Sequence, residues 1–168
     1  MKLVKNIITI DGPSGVGKGT LALSLAERLG WNVLDSGLIY RLVGYLSFKD
    51  RLETSREIVQ FLKKSRIKLI TNLNESICEI ELNDKILGKE LRNENIASRA
   101  SELAKESEIR NAIIKIQRDA YDFKKGLIAD GRDMGTIIFP EAALKVFLKA
   151  SPEAVSYTHL TLPTILLV

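Results

Sequence analysis

The sequence predicts an α/β protein built on a doubly wound parallel sheet, and three observations carry that prediction. Residues 6–10, 127–129 and 144–148 are almost wholly apolar or β-branched, as strands buried on both faces must be. Segments with apolar residues at helical spacing lie between them, so strands and helices alternate along the chain. A glycine-rich stretch, residues 12–20, stands directly between the first strand and the first helix.

The elements follow in order. After the first strand, Leu21, Leu25 and Leu29 with Ala22 and Ala26 mark a helix, closed by Gly30. Residues 31–34 read as a second short strand. Leu38, Leu42, Tyr45 and Leu46 recur at three and four and predict a helix over 38–48, and a third helix covers 55–64. The middle of the chain changes character. Residues 67–70, 77–82 and 85–87, the last two joined by an Asn83-Asp84 turn, predict a small antiparallel sheet inserted into the parallel core over about 60–92. Helical patterns resume at Ile96, Ala97, Ala100, Leu103 and Ala104, and again from Ile109 through Ala112, Ile113, Ile116 and Ala120 to Phe123. Residues 1–153 are then one domain carrying that insertion.

At 168 residues the chain is long enough for one good core. Its formal charge is +4, with 25 basic residues that are scattered, a balance that suits an anionic small molecule as well as nucleic acid. Cys78 is the single cysteine, in an alternating segment where it fills space on a strand, so no disulfide or cysteine-metal framework can be built. No run reaches the roughly 18 apolar residues of a membrane helix, and the start lacks a signal-type apolar run. The expected setting is cytoplasmic.

Gly12, Pro13, Ser14, Gly15, Val16, Gly17, Lys18, Gly19 and Thr20 occupy the place where a phosphate cradle forms, between strand and helix. Without Cβ atoms, Gly12, Gly15 and Gly17 let backbone N–H groups converge on an anion, and the helix N-terminus near Lys18 adds partial positive charge. Lys18 supplies a mobile full charge for phosphoryl oxygens in flight, and Thr20 a hydroxyl for phosphate or a metal-bound water. The usual pattern of such loops has Ser or Thr directly after the lysine; here Gly19 intervenes, which weakens direct hydroxyl ligation of Mg²⁺.

Two further segments end strands. Asp130 closes the run 127–129 and is placed to hold a magnesium shell through water, while Arg132 can grip a phosphate in bidentate fashion. A polar turn with an internal Arg–Asp pair is the other reading of these residues. Asp35-Ser36-Gly37-Leu38-Ile39-Tyr40-Arg41 ends the second strand and opens a helix, with Ser36 as its N-cap. An exposed Tyr40-Arg41 pair with no role is the alternative there.

The loop GPSGVGKGT, then LDSGLIYR, then LIADGRDMG, in this order and spacing, resemble the bacterial cytidylate kinases, P-loop enzymes that phosphorylate CMP and dCMP with ATP. The resemblance runs from about Ile7 to Pro152. It implies a P-loop NTPase-type sheet whose insertion, small sheet plus helices, binds the acceptor. It also implies ATP and CMP or dCMP as partners, Mg²⁺ as cofactor, no nucleic acid or membrane partner, and a monomer. Residue by residue, Ser36, Tyr40 and Arg41 match the segment against the acceptor nucleotide, with Arg41 on its phosphate. Arg92 matches a basic position of the acceptor-binding insertion, Ser101 and Arg110 match positions facing the cytosine ring, and Arg132 and Asp133 match those that hold phosphate and base. Lys18 and Arg132 are the expected catalytic residues. Ser101 and Arg110 also lie off the apolar stripes of their helices, so the core requires neither, and simple solvated surface would account for them equally. A P-loop kinase for another small metabolite, or a nucleotide-binding fragment without catalysis, are the alternative activities.

After residue 148 the family is expected to continue with a helix, an arginine-rich lid, and a last strand and helix. Ser151-Pro152-Glu153 announces a helix, with N-cap, first-position proline and first-turn acid. Residues 154–168 then contain no Asp, Glu, Lys or Arg and no amphipathic pattern. A buried strand is one reading. The preferred one is a segment foreign to the fold, because the signals before and after Glu153 contradict each other. It would leave the edge of the sheet uncovered and transfer weak. His159, within it, receives no role.

Overall fold

Strand β1 (Lys5–Asp11) carries the prediction of a doubly buried strand furthest: Ile7, Thr9 and Ile10 are fully buried, and the strand is flanked on both sides. The computed structural model describes residues 5–49, 51–149 and 164–167. The chain divides into two compact units, residues Met1–Leu34 with Tyr121–Val168, and residues Asp35–Ala120.

The first unit holds α1 (Lys18–Leu29), most of β2 (Asn32–Asp35), and the later strands of the five-stranded sheet. Counting strands in chain order, these are β6 (Leu127–Gly131), β7 (Ala142–Lys149) and β8 (Thr164–Leu167), and the sheet runs β2-β6-β1-β7-β8. β1 pairs in parallel with β6 and with β7, and the registers set Asp11 level with both Gly131 and Phe147. The loops that follow β1 and β6 therefore leave the sheet at one carboxyl edge, where open α/β sheets bind ligands. The second strand begins one residue later than the sequence suggests, at Asn32, whose N–H bonds to the Gly126 carbonyl.

Residues 164–167 correct one expectation. They form a strand that pairs antiparallel with β7, from Val146↔Leu167 to Lys149↔Thr164, so the edge of β7 is paired there. The helix announced at Ser151-Pro152-Glu153, and His159, lie outside the described residues.

The second unit contains α2 (Ser36–Lys49), α3 (Ser55–Lys64), β3 (Ile67–Asn72), β4 (Ile77–Leu82), β5 (Lys85–Leu87), a 3₁₀ turn (Lys89–Arg92), α4 (Glu94–Leu103) and α5 (Ser107–Asp119). The three strands form the antiparallel sheet β3-β4-β5. Strand β4 alternates half-buried and buried residues, with Cys78, Ile80 and Leu82 inward, and Asn83 and Asp84 both take positive φ in the turn to β5. The small sheet expected over about 60–92 thus shares its unit with α2 to α5. Helix α2 packs on α4 through Leu42, Val43 and Leu46 on one side and Ile96, Ala100 and Leu103 on the other, all buried; α3 packs on α5. Each such leucine or isoleucine contributes about 1.5–3 kcal/mol by leaving water. The last helix ends at Asp119, short of its sequence-predicted extension, and Phe123 lies beyond it with 76% of its surface exposed.

Candidate active site

In the first unit the glycine loop leaves β1 and enters α1 directly. Gly15 and Gly17 have φ of 80° and 85°, a conformation that costs residues with a Cβ, and Gly17 stands as the N-cap of α1. Gly12 is required for a different reason. A Cβ there would lie 2.5 Å from the Leu148 carbonyl oxygen, so the loop could not leave the sheet so close to β7. Val16 is buried and anchors the loop, whereas Pro13, Ser14, Gly15 and Thr20 are exposed.

Lys18 lies at the start of α1. Its Nζ donates to the Pro13 carbonyl at 2.8 Å and stands 3.9 Å from the Asp130 carboxylate, with each side chain only 12% exposed. The cation is therefore held at the mouth of the loop beside a carboxylate. The position after the lysine, where the usual pattern has a hydroxyl, faces that same group: a Cβ on Gly19 would lie 3.4 Å from Asp130 Oδ2. Arg132 is exposed and its Nη2 donates to Ser14 Oγ at 2.8 Å, so its guanidinium sits against the phosphate loop. Asp133 is half-buried in the same loop.

No cluster of three or more His, Cys, Asp or Glu that could hold a metal exists among the described residues. One carboxylate, Asp130, and the exposed hydroxyl of Thr20 at the start of α1 fit an ion that arrives on nucleotide phosphates and keeps most of its waters, as Mg²⁺ does. They do not fit a dedicated protein cage.

In the second unit Asp35, not Ser36, caps α2: its Oδ1 accepts from the Leu38 N–H at 3.1 Å. A carboxylate reaches the third amide of the helix from the residue before it, and Ser36 becomes the first residue of the helix itself. Ser36 is buried, and its Oγ accepts a 2.9 Å bond from Gln117 Nε2. Tyr40 and Arg41 are half-buried, which removes the reading of an exposed pair. Arg41 Nη1 donates to the Leu91 carbonyl at 3.2 Å. That bond ties α2 to the turn bearing Arg92. Asp35, Gly37, Leu38, Arg41 and Arg92 line a cleft of about 300 Å³, at the lower end of small-ligand pockets. Ser101 and Arg110 are exposed, and Ser101 Oγ donates to the Ala97 carbonyl of its own helix at 3.0 Å.

Two polar residues escaped the sequence reading. Gln117 occupies the apolar stripe of α5 four residues after Ile113 and is 2% exposed. An amide on such a stripe needs a partner, which was the available signal. Asp11 is the second: it ends an apolar strand, is 7% exposed, and accepts from the amides of Met134 and Gly135 at 2.8 Å each.

A family model described as cytidylate kinase matches residues 8–157. The chain belongs to the cytidylate kinase family. It is similar to the cytidylate kinase of Pasteurella multocida (strain Pm70), 42% identical over 149 residues that make up 89% of this chain and 65% of that protein. The cytidylate kinase of Dichelobacter nodosus (strain VCS1703A) is 43% identical over 150 residues, 89% of this chain and 66% of that one. That of Pseudomonas fluorescens (strain Pf0-1) is 42% identical over 157 residues, 91% and 67%. The chain spans about two thirds of the length of these cytidylate kinases. Among the described residues no helix is long and apolar enough to cross a membrane.

Proposed function

We propose that this chain carries the nucleotide-binding parts of an ATP-dependent kinase for CMP or dCMP. The observation that supports it most directly is Lys18, placed between the Pro13 carbonyl and Asp130 at the head of α1, with Arg132 on Ser14 of the same loop. In this reading the loop amides and Lys18 bind the β- and γ-phosphates of ATP, and Asp130 and Thr20 hold the waters of the accompanying Mg²⁺, which neutralises phosphate charge. Arg132 neutralises charge on the transferring group. Arg41 and Arg92 take the acceptor's phosphate in the cleft that they line, with Ser36 and Tyr40 on the same helix as Arg41. Ser101, Arg110 and Asp133 read the cytosine edge, as the family's pattern implies. The acceptor phosphate is already anionic, so no general base is needed, and catalysis is positioning and charge neutralisation. We place the protein in the cytoplasm as a monomer, with ATP and CMP or dCMP as its partners and no nucleic acid or membrane.

The test is a coupled ADP-release assay with CMP, beside calorimetric titration of ATP, on the chain and on Lys18→Ala. ATP binding and CMP-dependent release that both fall in the variant support the reading. Equal affinity and turnover in the two proteins would remove Lys18 from the site and the assignment with it.

A further inference from the structure

Arg132 is an exposed residue on a loop, yet its proposed role needs a guanidinium fixed to within a fraction of an ångström. Inside its own loop the Ile137 and Ile138 amides bond to the Asp133 carbonyl, which ties the loop to itself and not to the sheet. Fixation comes from β1. The buried carboxylate of Asp11 accepts the Met134 N–H on Oδ1 and the Gly135 N–H on Oδ2, both at 2.8 Å. These are the first two residues of a π-helical turn, Met134–Ile138, that begins two positions after Arg132. Bonds that amides donate to a carboxylate are of the stronger, charge-assisted kind.

The approach is also tight. A Cβ on residue 135 would stand 2.7 Å from Thr9 Oγ1 and 3.2 Å from Asp11 Oδ2, so only glycine lets this backbone settle onto β1. Thr9 is fully buried beneath it, and its hydroxyl has no hydrogen-bond partner among the described residues. With Arg132 Nη2 on Ser14 Oγ, the two loops are joined at Arg132 and just after it, by residues 14 and 11 of one segment.

We propose that Asp11 is a positioning residue: it locks the Arg132 loop to the strand that launches the phosphate loop, so that Arg132 moves with the bound donor phosphates and not with its own loop. This rests on the phosphotransferase reading for its purpose, but the lock itself is testable without turnover. In Asp11→Asn one acceptor oxygen becomes an N–H donor facing an amide N–H, which breaks half of the clamp at nearly constant volume.

Two readouts are needed on the full chain. Hydrogen exchange at the Met134 and Gly135 amides should accelerate at least tenfold in Asp11→Asn, and the Arg132 Nε–Hε resonance, assigned by its absence in Arg132→Ala, should shift. Gly135→Ala, which leaves all charges in place, should do the same and covers the case in which the first variant folds poorly. In the coupled assay Asp11→Asn should lower kcat/KM for CMP about tenfold with the ATP dissociation constant within twofold, and should add less than twofold once Arg132 is alanine. Unchanged exchange and an unmoved Arg132 signal would overturn the lock. A full tenfold loss in the Arg132→Ala background would overturn its action through Arg132. A wild-type chain without CMP-dependent release, but with both spectroscopic effects present, would count against the kinase reading and leave the lock standing.

Discussion

The two compact units treat their charged residues differently. In the first, Lys18, Arg132 and Asp11 are each bonded to a neighbour in the phosphate-loop assembly, and the loop shape follows from backbone geometry at a few glycines. In the second, Arg41 is held by one carbonyl, while Arg92, Ser101 and Arg110 lie exposed on three different elements. A cradle made of backbone amides is complete once the chain has folded, whereas long exposed side chains become ordered only when a ligand offsets their rotamer entropy. The first unit should accordingly fail sharply under single substitutions, and the second should degrade by degrees.

The largest effect expected is that of Lys18→Ala, a loss of roughly 10²–10³ in turnover in a chain that still folds, because a preorganised charge at the transferring group is removed. Gly12→Ala comes next and acts on stability. Its Cβ would have to displace the Leu148 carbonyl, and overpacking of this kind costs about 1–3 kcal/mol. Urea denaturation should show a lower midpoint and phosphate binding should weaken alongside it. A variant as stable as the parent would show that the strand-to-loop junction is softer than the contrast between the units requires.

For the second unit, Ser101→Ala and Arg110→Ala, and in the Arg132 loop Asp133→Ala, should each raise the KM for CMP by roughly tenfold, with a smaller effect on UMP, since a lost hydrogen bond to the bound base is worth about 0.5–1.5 kcal/mol. Equal losses for both acceptors would make them general positioning groups. The smallest effect lies at the start of α3, where Thr54 and Glu57 form a reciprocal capping box. The backbone N–H of Thr54 is the main reason that Glu57 is held below its ordinary pKa of 4.5, with the Thr54 side chain second. A depressed carboxylate contributes stability above its unfolded pKa and loses it as pH falls through the folded one. Thr54→Ala should thus narrow the stability difference between about pH 5 and pH 3 slightly, measured by thermal melts, and leave nucleotide binding untouched.

The same contrast decides what the sequence could reveal. The glycine loop, the strands at 6–10, 127–129 and 144–148, and the helix over 55–64 are local signals, and each was legible because period and turn chemistry are written in adjacent residues. Ser36 was misread as the cap because both it and Asp35 can accept from a helix amide, and only the chain's path shows which one does. Asp11 and Gln117 were missed since their partners are far along the chain: Met134 and Gly135 for one, Ser36 for the other. The register of the pairing at 164–167 could not be foreseen either, because one threonine and three apolar residues carry no register information of their own.

The position of β1 has a consequence for how the molecule is made. Ile7 finds its partners at Leu127, about 120 residues later, and Ile8 pairs with Leu144 later still. The second unit, Asp35–Ala120, is one uninterrupted stretch and can collapse as soon as it leaves the ribosome. The strand that launches the phosphate loop must instead stay unpaired with β6 and β7 during that interval, on the order of ten seconds at ordinary translation rates. Its run of buried isoleucines is then bare, so the phosphate loop takes its place on the sheet only after the second unit has had time to fold.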